Sequence, residues 1–212
     1  MPLIKISHIT EDSRMGLWQM TETPDEMLRL YPHLHGLQMT CQSVRRRMEV
    51  LCTRALLYEM THDATLVIGH ASSGKPTLEG WHISISHTRG YAVLLLSRKE
   101  NVAVDIEYRS DRVGRIASRF IRPDETARSI DDMLRIWSAK ETLYKLHSED
   151  NLQFYEMQTL TASASEMTLQ NKKHGHIVTV YVVSEDDYVL TWATENDSTP
   201  RPSTSSSCKC RG

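Results

Sequence analysis

The chain has 212 residues, of which 40% are hydrophobic and 25% charged, and its formal net charge is −2. This length allows one large domain or two small domains of about 100 residues each. The near-neutral charge excludes a protein that a global field holds on nucleic acid or on an acidic membrane, so an anionic ligand would need a local cluster of basic groups.

The first half of the chain predicts one long helix followed by short strands. Apolar residues recur at helical spacing from Val44 to Tyr58, so we expect a helix from about Ser43 to Met60. Thr88-Arg89-Gly90 is a turn between two strands, which predicts a hairpin. The strands expected in this half are Thr65–Gly69, Trp81–Ser86 and Tyr91–Ser97.

The second half has the same order of elements. After a turn at Arg98–Asn101 we expect a strand from Val102 to Glu107. A short helix at Val113–Phe120 and a longer one from about Ser129 to His147 should follow, with acidic residues in the first turn of the longer helix. The later strands expected are Glu166–Gln170, His176–Val183 and Tyr188–Thr194. The element order therefore predicts an α+β fold of two similar, pseudo-duplicated halves, each an antiparallel sheet packed with a helix.

These patterns divide the chain into residues 1–98, residues 99–195 and a tail. Residues 196–212 have no apolar residues to bury and are expected to be disordered. Cys208 and Cys210 lie in this tail, where an inert CxC pair is a simpler interpretation than a metal site. The four cysteines do not form a disulfide framework. Because no membrane span or secretory signal is visible either, we expect a cytoplasmic protein.

Asp105 and Glu107 are the first pair of candidate site residues. They lie two positions apart on a predicted strand, so their side chains leave the same face. Two carboxylates near a strand end can share a hard cation such as Mg²⁺. The alternative is an ordinary solvated face, opposite a core face made by Val102, Val104 and Ile106.

Glu141 and Lys145 are the second pair, at positions i and i+4 of the long predicted helix. Trp137 lies one turn earlier on the same stripe. Glu before Lys at this spacing is a common surface pair worth ~0.3–0.5 kcal/mol. A functional role requires Glu141 to face the strand that carries Asp105 and Glu107, where it would add a third carboxylate.

Several basic groups could bind an anion. Lys75 lies in the loop Gly74-Lys75-Pro76, where glycine permits a positive φ and proline fixes the exit. His87 follows Ser86 at a strand end and can donate to phosphate oxygens. The run Arg45-Arg46-Arg47 lies on the first long helix and suits phosphate recognition. Each feature alone is also explained by an exposed turn, a structural histidine or a solvated helix face.

The order of these features resembles the 4′-phosphopantetheinyl transferase superfamily, in its larger, monomeric type that activates surfactin synthetase. The motifs are Gly74-Lys-Pro76, Ile83-Ser-Ile-Ser-His87, Val102-Ala-Val-Asp-Ile-Glu107 and Trp137-Ser-Ala-Lys-Glu-Thr-Leu-Tyr-Lys145. They resemble the family's GKP, aromatic-x-x-Ser-His, V-G-(I/V)-D-x-E and W-(S/C)-x-K-E-x-x-x-K motifs, over roughly residues 40–195. Ile83 stands where the family usually has an aromatic residue, and Ala103 replaces the usual glycine.

The resemblance implies a transferase that moves the 4′-phosphopantetheine group of coenzyme A to a serine of an apo carrier protein, in a cleft between two similar halves. Asp105, Glu107 and Glu141 would hold Mg²⁺, or Mn²⁺ in its place. Glu141 would also be the base that deprotonates the serine. The expected ligands of coenzyme A are Arg45, Lys75, Pro76, Ser86, His87, Lys140 and Lys145.

The partners implied are coenzyme A and an acyl, peptidyl or polyketide carrier protein, with no nucleic acid and no membrane. The protein is expected to be a monomer. The alternative from a different class is a non-catalytic coenzyme A- or carrier-binding module on the same fold. The full set of Asp105, Glu107, Glu141 and Lys145 favours the enzyme, because a binding module has no need of the metal set.

Overall fold

The computed structural model describes residues 3–37 and 43–199 and gives the α+β fold that the sequence predicts. This part of the chain contains two larger antiparallel sheets and four α-helices. None of these helices is long and apolar enough to cross a membrane. The predicted CxC pair and the tail from residue 200 lie outside the described residues.

The first half forms a four-stranded sheet covered by a long helix. Its elements in chain order are β1 (Leu3–His8), β2 (Ser13–Gln19), α1 (Pro24–Leu30), α2 (Val44–Thr61), β3 (Gly69–His70), β4 (Pro76–Thr77), β5 (His82–Thr88) and β6 (Tyr91–Ser97). The strand order is β1-β2-β6-β5, and β3 pairs with β4 in a separate short ribbon. The hairpin of β5 and β6 turns at Arg89-Gly90, where Gly90 has a φ of 81°.

The second half forms the larger sheet. Its elements are β7 (Val102–Tyr108), α3 (Arg112–Phe120), α4 (Ile130–Leu146), β8 (Met157–Ala162), β9 (Glu166–Asn171), β10 (Ile177–Ser184), β11 (Tyr188–Thr194) and β12 (Ser198–Thr199). The strand order is β7-β11-β10-β9-β8, with β12 paired to β10. Helix α4 begins as expected, because Ser129 and Asp132 cap its first turn reciprocally.

Strand β6 contributes to two hydrophobic layers because alternate side chains leave opposite faces. Leu94 and Leu96 pack with α2 on one face. Val93 and Leu95 belong to a second cluster with residues of β7, including Val104 and Ile106. The two halves therefore share a core layer, and β7 lies against the first half.

Strands β5 and β7 meet through side-chain hydroxyls rather than through a backbone ladder. The Ser84 hydroxyl accepts the amide of Val104 at 3.0 Å, and the Thr88 hydroxyl accepts the amide of Tyr108 at 3.1 Å. Ser86, between them on the same face, donates to Asp105 at 2.9 Å. The polar face of β5 is thus buried between the halves, and it places a carboxylate there.

Several expectations about the elements were wrong. Thr65–Gly69 is not a strand, since strand structure begins only at Gly69 in the β3–β4 ribbon. Val44 does not belong to the buried face of α2, because 63% of it is exposed. The predicted tail starts too early, because Ser198 and Thr199 pair with Val178 and Ile177. The two sheets differ in strand number and order, so duplication and the domain division stay predictions.

Candidate active site

Asp105 lies at the centre of the candidate site, on β7. It is only 4% exposed, so the solvated face considered for this strand is wrong at this position. Ser86 and the Lys145 ammonium both donate to its Oδ1, at 2.9 and 2.8 Å, and Ser138 donates to its Oδ2 at 2.9 Å. Each oxygen of this buried carboxylate is therefore held by a donor from a neighbouring element.

Glu107 and Glu141 both lie close to Asp105, and burial together with its negative charge raises their pKa values. Burial, and then the charge of Asp105, raises the pKa of Glu107 to about 7, although the Trp137 indole donates to it at 2.8 Å. Burial and Asp105 also raise the pKa of Glu141 to about 6. Two of the three carboxylates thus titrate near neutrality, and a cation between them would relieve this repulsion.

Lys145 is the cation that the structure brings to this cluster. Its ammonium donates to the backbone oxygen of Val104 at 3.0 Å as well as to Asp105. The i,i+4 pair with Glu141 is therefore not a helix-surface salt bridge, because the lysine reaches across to β7 instead. The side chain is 27% exposed, so the ammonium stands at the edge of the cluster.

The carboxylate cluster fits a magnesium ion in donor type and charge. Within the described residues, no three acidic, histidine or cysteine side chains converge closely enough to form a ready-made metal cage. Mg²⁺ usually takes one or two carboxylates and completes its octahedron with waters and substrate phosphates. Three coupled carboxylates with one lysine suit that kind of site better than a closed protein cage.

A cleft of about 270 Å³ opens beside the cluster, between the two halves. The loop around Lys75 lines one side of it, and Tyr144, Lys145 and Ser148 line the other. The β3–β4 turn fixes this loop, because the amide of Ala71 donates to the Lys75 oxygen at 2.9 Å. Lys75 and Lys145 thus lie along one cleft, although they are far apart in sequence.

A second cavity of about 180 Å³ is lined by residues that include Arg46, Glu49, Pro76 and His87. Pro76 lines both cavities, so it marks the boundary between them. Arg46 lies 2.9 Å from His87 Nε2, and Arg45 and Arg46 both bind the buried Glu49 carboxylate, at 2.9 and 3.0 Å. Of the three consecutive arginines, Arg46 is the one beside His87.

Burial, and each other's charge, shift the pKa values of the two titratable groups that line this cavity, His87 and Glu49. Burial lowers the pKa of His87, with Glu49 opposing and Arg46 reinforcing the shift. Burial would raise the pKa of Glu49, but the hydrogen bonds from Arg46 and Arg45 outweigh it and lower the pKa. An anion bound here would meet an arginine and an imidazole already held in place.

Lys140 does not join the cluster, although it lies in the same motif. Its side chain is fully buried on another face of α4, where the ammonium donates to Glu125 and to the Phe120 oxygen, each at 2.7 Å. Burial lowers the pKa of this ammonium, and Glu125 opposes the shift. A coenzyme in either cavity would not reach it.

Sequence analysis did not single out Ser138, Thr191 or Ser84. Ser138 and Thr191 are both fully buried and hydrogen-bond each other at 2.9 Å next to Asp105. The sequence contains one indication of Ser84, because hydroxyl residues alternate at positions 84, 86 and 88. In an amphipathic strand this alternation predicts a face that is exposed to solvent, so the pattern does not point to a buried site. No such signal exists for Thr191, because its neighbour Asp105 lies far away in sequence.

Comparison with known proteins supports the family. Residues 101–193 match the model of the 4′-phosphopantetheinyl transferase superfamily. This segment includes Asp105, Glu107, Glu141 and Lys145. No curated protein sequence matches the chain significantly.

Proposed function

Through residues 101–193 this chain belongs to the 4′-phosphopantetheinyl transferase superfamily. We propose that it takes the 4′-phosphopantetheine group from coenzyme A. The acceptor is a serine of an apo carrier protein, and 3′,5′-ADP is released. Transfer of phosphopantetheine is the general activity of the family. The donor, the metal and the carrier are our own proposals, as are a monomeric state and a cytoplasmic location.

One observation supports the proposal most directly. Asp105, Glu107 and Glu141 are electrostatically coupled, and Lys145 links their cluster to the cleft that also contains Lys75. A pyrophosphate in that cleft would meet lysines from both halves. An anion-binding module needs the lysines but has no use for three clustered carboxylates, whose mutual repulsion destabilises the empty protein.

Asp105, Glu107 and Glu141 would hold Mg²⁺ or Mn²⁺ against the pyrophosphate. When bound, the ion would supply positive charge to the phosphoryl oxygens, on which charge builds up during transfer. The raised pKa values of Glu107 and Glu141 support this assignment, because crowded carboxylates gain most from a bound cation.

Glu141 acts as the general base in this proposal. In the metal-free protein burial raises its pKa to about 6. A bound cation would lower that pKa, so Glu141 would be ionised and able to accept a proton during transfer. The carboxylate would accept the proton of the carrier serine, directly or through water. The serine oxygen then forms a bond to the β-phosphorus, and the bond from that phosphorus to the oxygen of the departing 3′,5′-ADP breaks.

The lysines stabilise the departing group. In the ligand-free protein Asp105 holds the Lys145 ammonium at the edge of the cleft, and from there the lysine would turn to the pyrophosphate on which charge develops. Lys75 would contact the same group from the first half, and Pro76 would border it. Lys140, buried against Glu125, is not part of this proposal.

The nucleotide end of coenzyme A would occupy the second cavity. His87 and Arg46 are in contact there, and we propose that they bind the 3′-phosphate, with Arg45 next to them through Glu49. Ser86 acts differently from the expectation. It donates to Asp105, so its proposed role is to hold the carboxylate rather than to touch the coenzyme.

The exposed face of α3 offers a surface for the carrier. Arg112, Arg115 and Arg119 are exposed, lie at helical spacing and pair with no acidic side chain of the described residues. Helix α3 begins at Arg112, shortly after β7, the strand that carries Asp105 and Glu107. A carrier that presents its serine at the start of an acidic helix would match this charge.

The test is to incubate the protein with coenzyme A, Mg²⁺ and a panel of apo carriers, and to weigh the carriers by mass spectrometry. We expect at least one carrier to gain one phosphopantetheine group, and 3′,5′-ADP to appear in equal amount. Coenzyme A binding without transfer to any acyl, peptidyl or polyketide carrier would instead favour the non-catalytic module.

A further inference from the structure

Behind Asp105 a row of hydroxyl side chains connects α4 to β11. Its members are Thr142, Thr191 and Ser138, which we call the hydroxyl chain, and each residue is fully buried. Thr142 Oγ1 lies 2.7 Å from Thr191 Oγ1, and Thr191 Oγ1 lies 2.9 Å from Ser138 Oγ. Ser138 Oγ then lies 2.9 Å from Asp105 Oδ2.

Asp105 fixes the direction in which the Ser138 hydroxyl donates. Each hydroxyl has one proton, and the proton of Ser138 goes to the Asp105 carboxylate, which only accepts. Ser138 Oγ can then accept from Thr191, whose one proton has two acceptors on the same residue, Ser138 Oγ at 2.9 Å and the Ser138 backbone oxygen at 3.0 Å. Thr142 donates in turn to Thr191. Either donation ties Thr191 to Ser138, so the hydroxyl chain holds the Ser138 side chain where it donates to Asp105.

We propose that the hydroxyl chain positions Asp105 for the metal, so that Ser138, Thr191 and Thr142 determine the affinity for Mg²⁺ without touching the ion, the coenzyme or the carrier. The inference rests on the magnesium site of the proposed function. Residues that orient a ligating carboxylate typically change metal affinity 10–100-fold when they are removed.

The arrangement around Asp105 supports a positioning role. Its Oδ1 is shared by Ser86 and Lys145, and Lys145 is partly exposed and would turn to the pyrophosphate when the coenzyme binds. Among the described residues, Ser138 is the donor to the other oxygen, and it is anchored on a rigid helix. The hydroxyl chain would therefore keep the carboxylate in place when the lysine leaves.

Buried hydroxyls also satisfy each other for purely structural reasons, and Ser97 provides a matched control for that role. It is fully buried like Ser138, but its hydroxyl accepts the amides of Lys99 and Glu100 at 3.3 Å each, in the turn after β6. Ser97→Ala removes a buried hydroxyl with no connection to Asp105. It should lower the melting temperature and leave magnesium binding unchanged.

The experiment measures the melting temperature of the full chain in saturating coenzyme A as a function of Mg²⁺ concentration. Ser138→Ala should weaken the apparent Mg²⁺ affinity about tenfold or more. Thr191→Val should weaken it less and Thr142→Val least, whereas Thr191→Ser should behave like the wild type. In the transfer assay, high Mg²⁺ should restore much of the lost rate of Ser138→Ala, with the KM for coenzyme A unchanged.

The outcomes separate this inference from the function on which it rests. Equal Mg²⁺ affinity in the wild type, Ser138→Ala and Ser97→Ala would overturn the inference and leave the magnesium site intact. A wild-type protein whose melting does not respond to Mg²⁺ would overturn both. If Ser138→Ala does not fold, Ser138→Cys serves in its place, because a thiol is a weak donor and should give an intermediate affinity.

Discussion

Replacing Glu141 by glutamine separates a catalytic carboxylate from a helix-surface residue, because the two interpretations predict opposite changes in stability. A surface Glu–Lys pair would lose a few tenths of a kcal/mol on substitution, with no effect on turnover. In the structure Lys145 binds Asp105 rather than Glu141, and burial and Asp105 raise the pKa of Glu141 from 4.5 to about 6. Ionised Glu141 therefore destabilises the metal-free protein.

The size and pH range of that effect follow from linkage. A carboxyl whose pKa is raised on folding favours the folded state most below its unfolded pKa, and this contribution is lost as the pH rises through the folded value. A rise of the Glu141 pKa from 4.5 to about 6 corresponds to about 2 kcal/mol of lost folding stability at pH 8. Glutamine carries no charge, so Glu141→Gln should melt up to about 4–8 °C higher than the wild type at pH 8 without metal.

Two measurements complete this prediction. Thermal melts in chelator at pH 8 and at pH 4.5 should show the advantage of Glu141→Gln at the higher pH alone. Transfer to an apo carrier, followed by mass spectrometry, should slow by at least ~10², as expected for loss of a general base. A variant that is slightly less stable at pH 8 and transfers at the wild-type rate would return Glu141 to the surface interpretation.

Three further predictions test other parts of the site. Excess chelator should abolish transfer and added Mg²⁺ or Mn²⁺ should restore it, whereas full activity in chelator would contradict the metal assignment. Coenzyme A should raise the melting temperature more than dephospho-coenzyme A does. Arg46→Ala should narrow this difference between the two ligands, and an unchanged difference would contradict a role of Arg46 at the 3′-phosphate. Lys140→Met should lower the free energy of unfolding, measured by urea denaturation, by roughly 3–5 kcal/mol, because it leaves Glu125 buried without its partner. A loss of transfer without a loss of stability would instead give Lys140 a catalytic role.

Much of the fold could be predicted because the periodic patterns are long and their boundaries are marked. Tyr91–Ser97 and Tyr188–Thr194 are strands with the predicted bounds, since an apolar run between turn residues leaves few alternatives. β1, β2, α1 and β8 were not predicted. The helix α1 is short, and β8 has intermediate and exposed residues along most of its length, so neither gives a strong periodic signal.

The contacts of the candidate site were harder to predict from the sequence than the fold. The spacing of Asp105 and Glu107 predicted a shared face, but not that the face is buried, because the first half that covers it is distant in sequence. Ser86 was expected at the coenzyme, although it binds Asp105, since a motif indicates which residues matter and not what each one touches. The choice among three consecutive arginines likewise required the position of His87.

The motif Trp137 to Lys145 illustrates why contiguous residues cannot share one role on a helix. Successive side chains turn by about 100°, so only residues three or four apart share a face. Trp137 and Lys145, two turns apart, reach the carboxylates of β7, and Glu141 lies on the stripe between them. Ser138 and Thr142 lie on the next stripe and face β11.

Lys140 points in a third direction, where it ties α4 to the segment that contains Glu125. Glu125 also accepts the amide of Thr159 on the edge strand β8 at 2.6 Å, so this ion pair fixes the helix against the far side of the sheet. The motif would therefore perform three tasks at once: one stripe supplies the base and the lysine, the second holds Asp105, and the third fixes the helix that positions the other two. In the proposed function, the first stripe is the one that would contact the substrates.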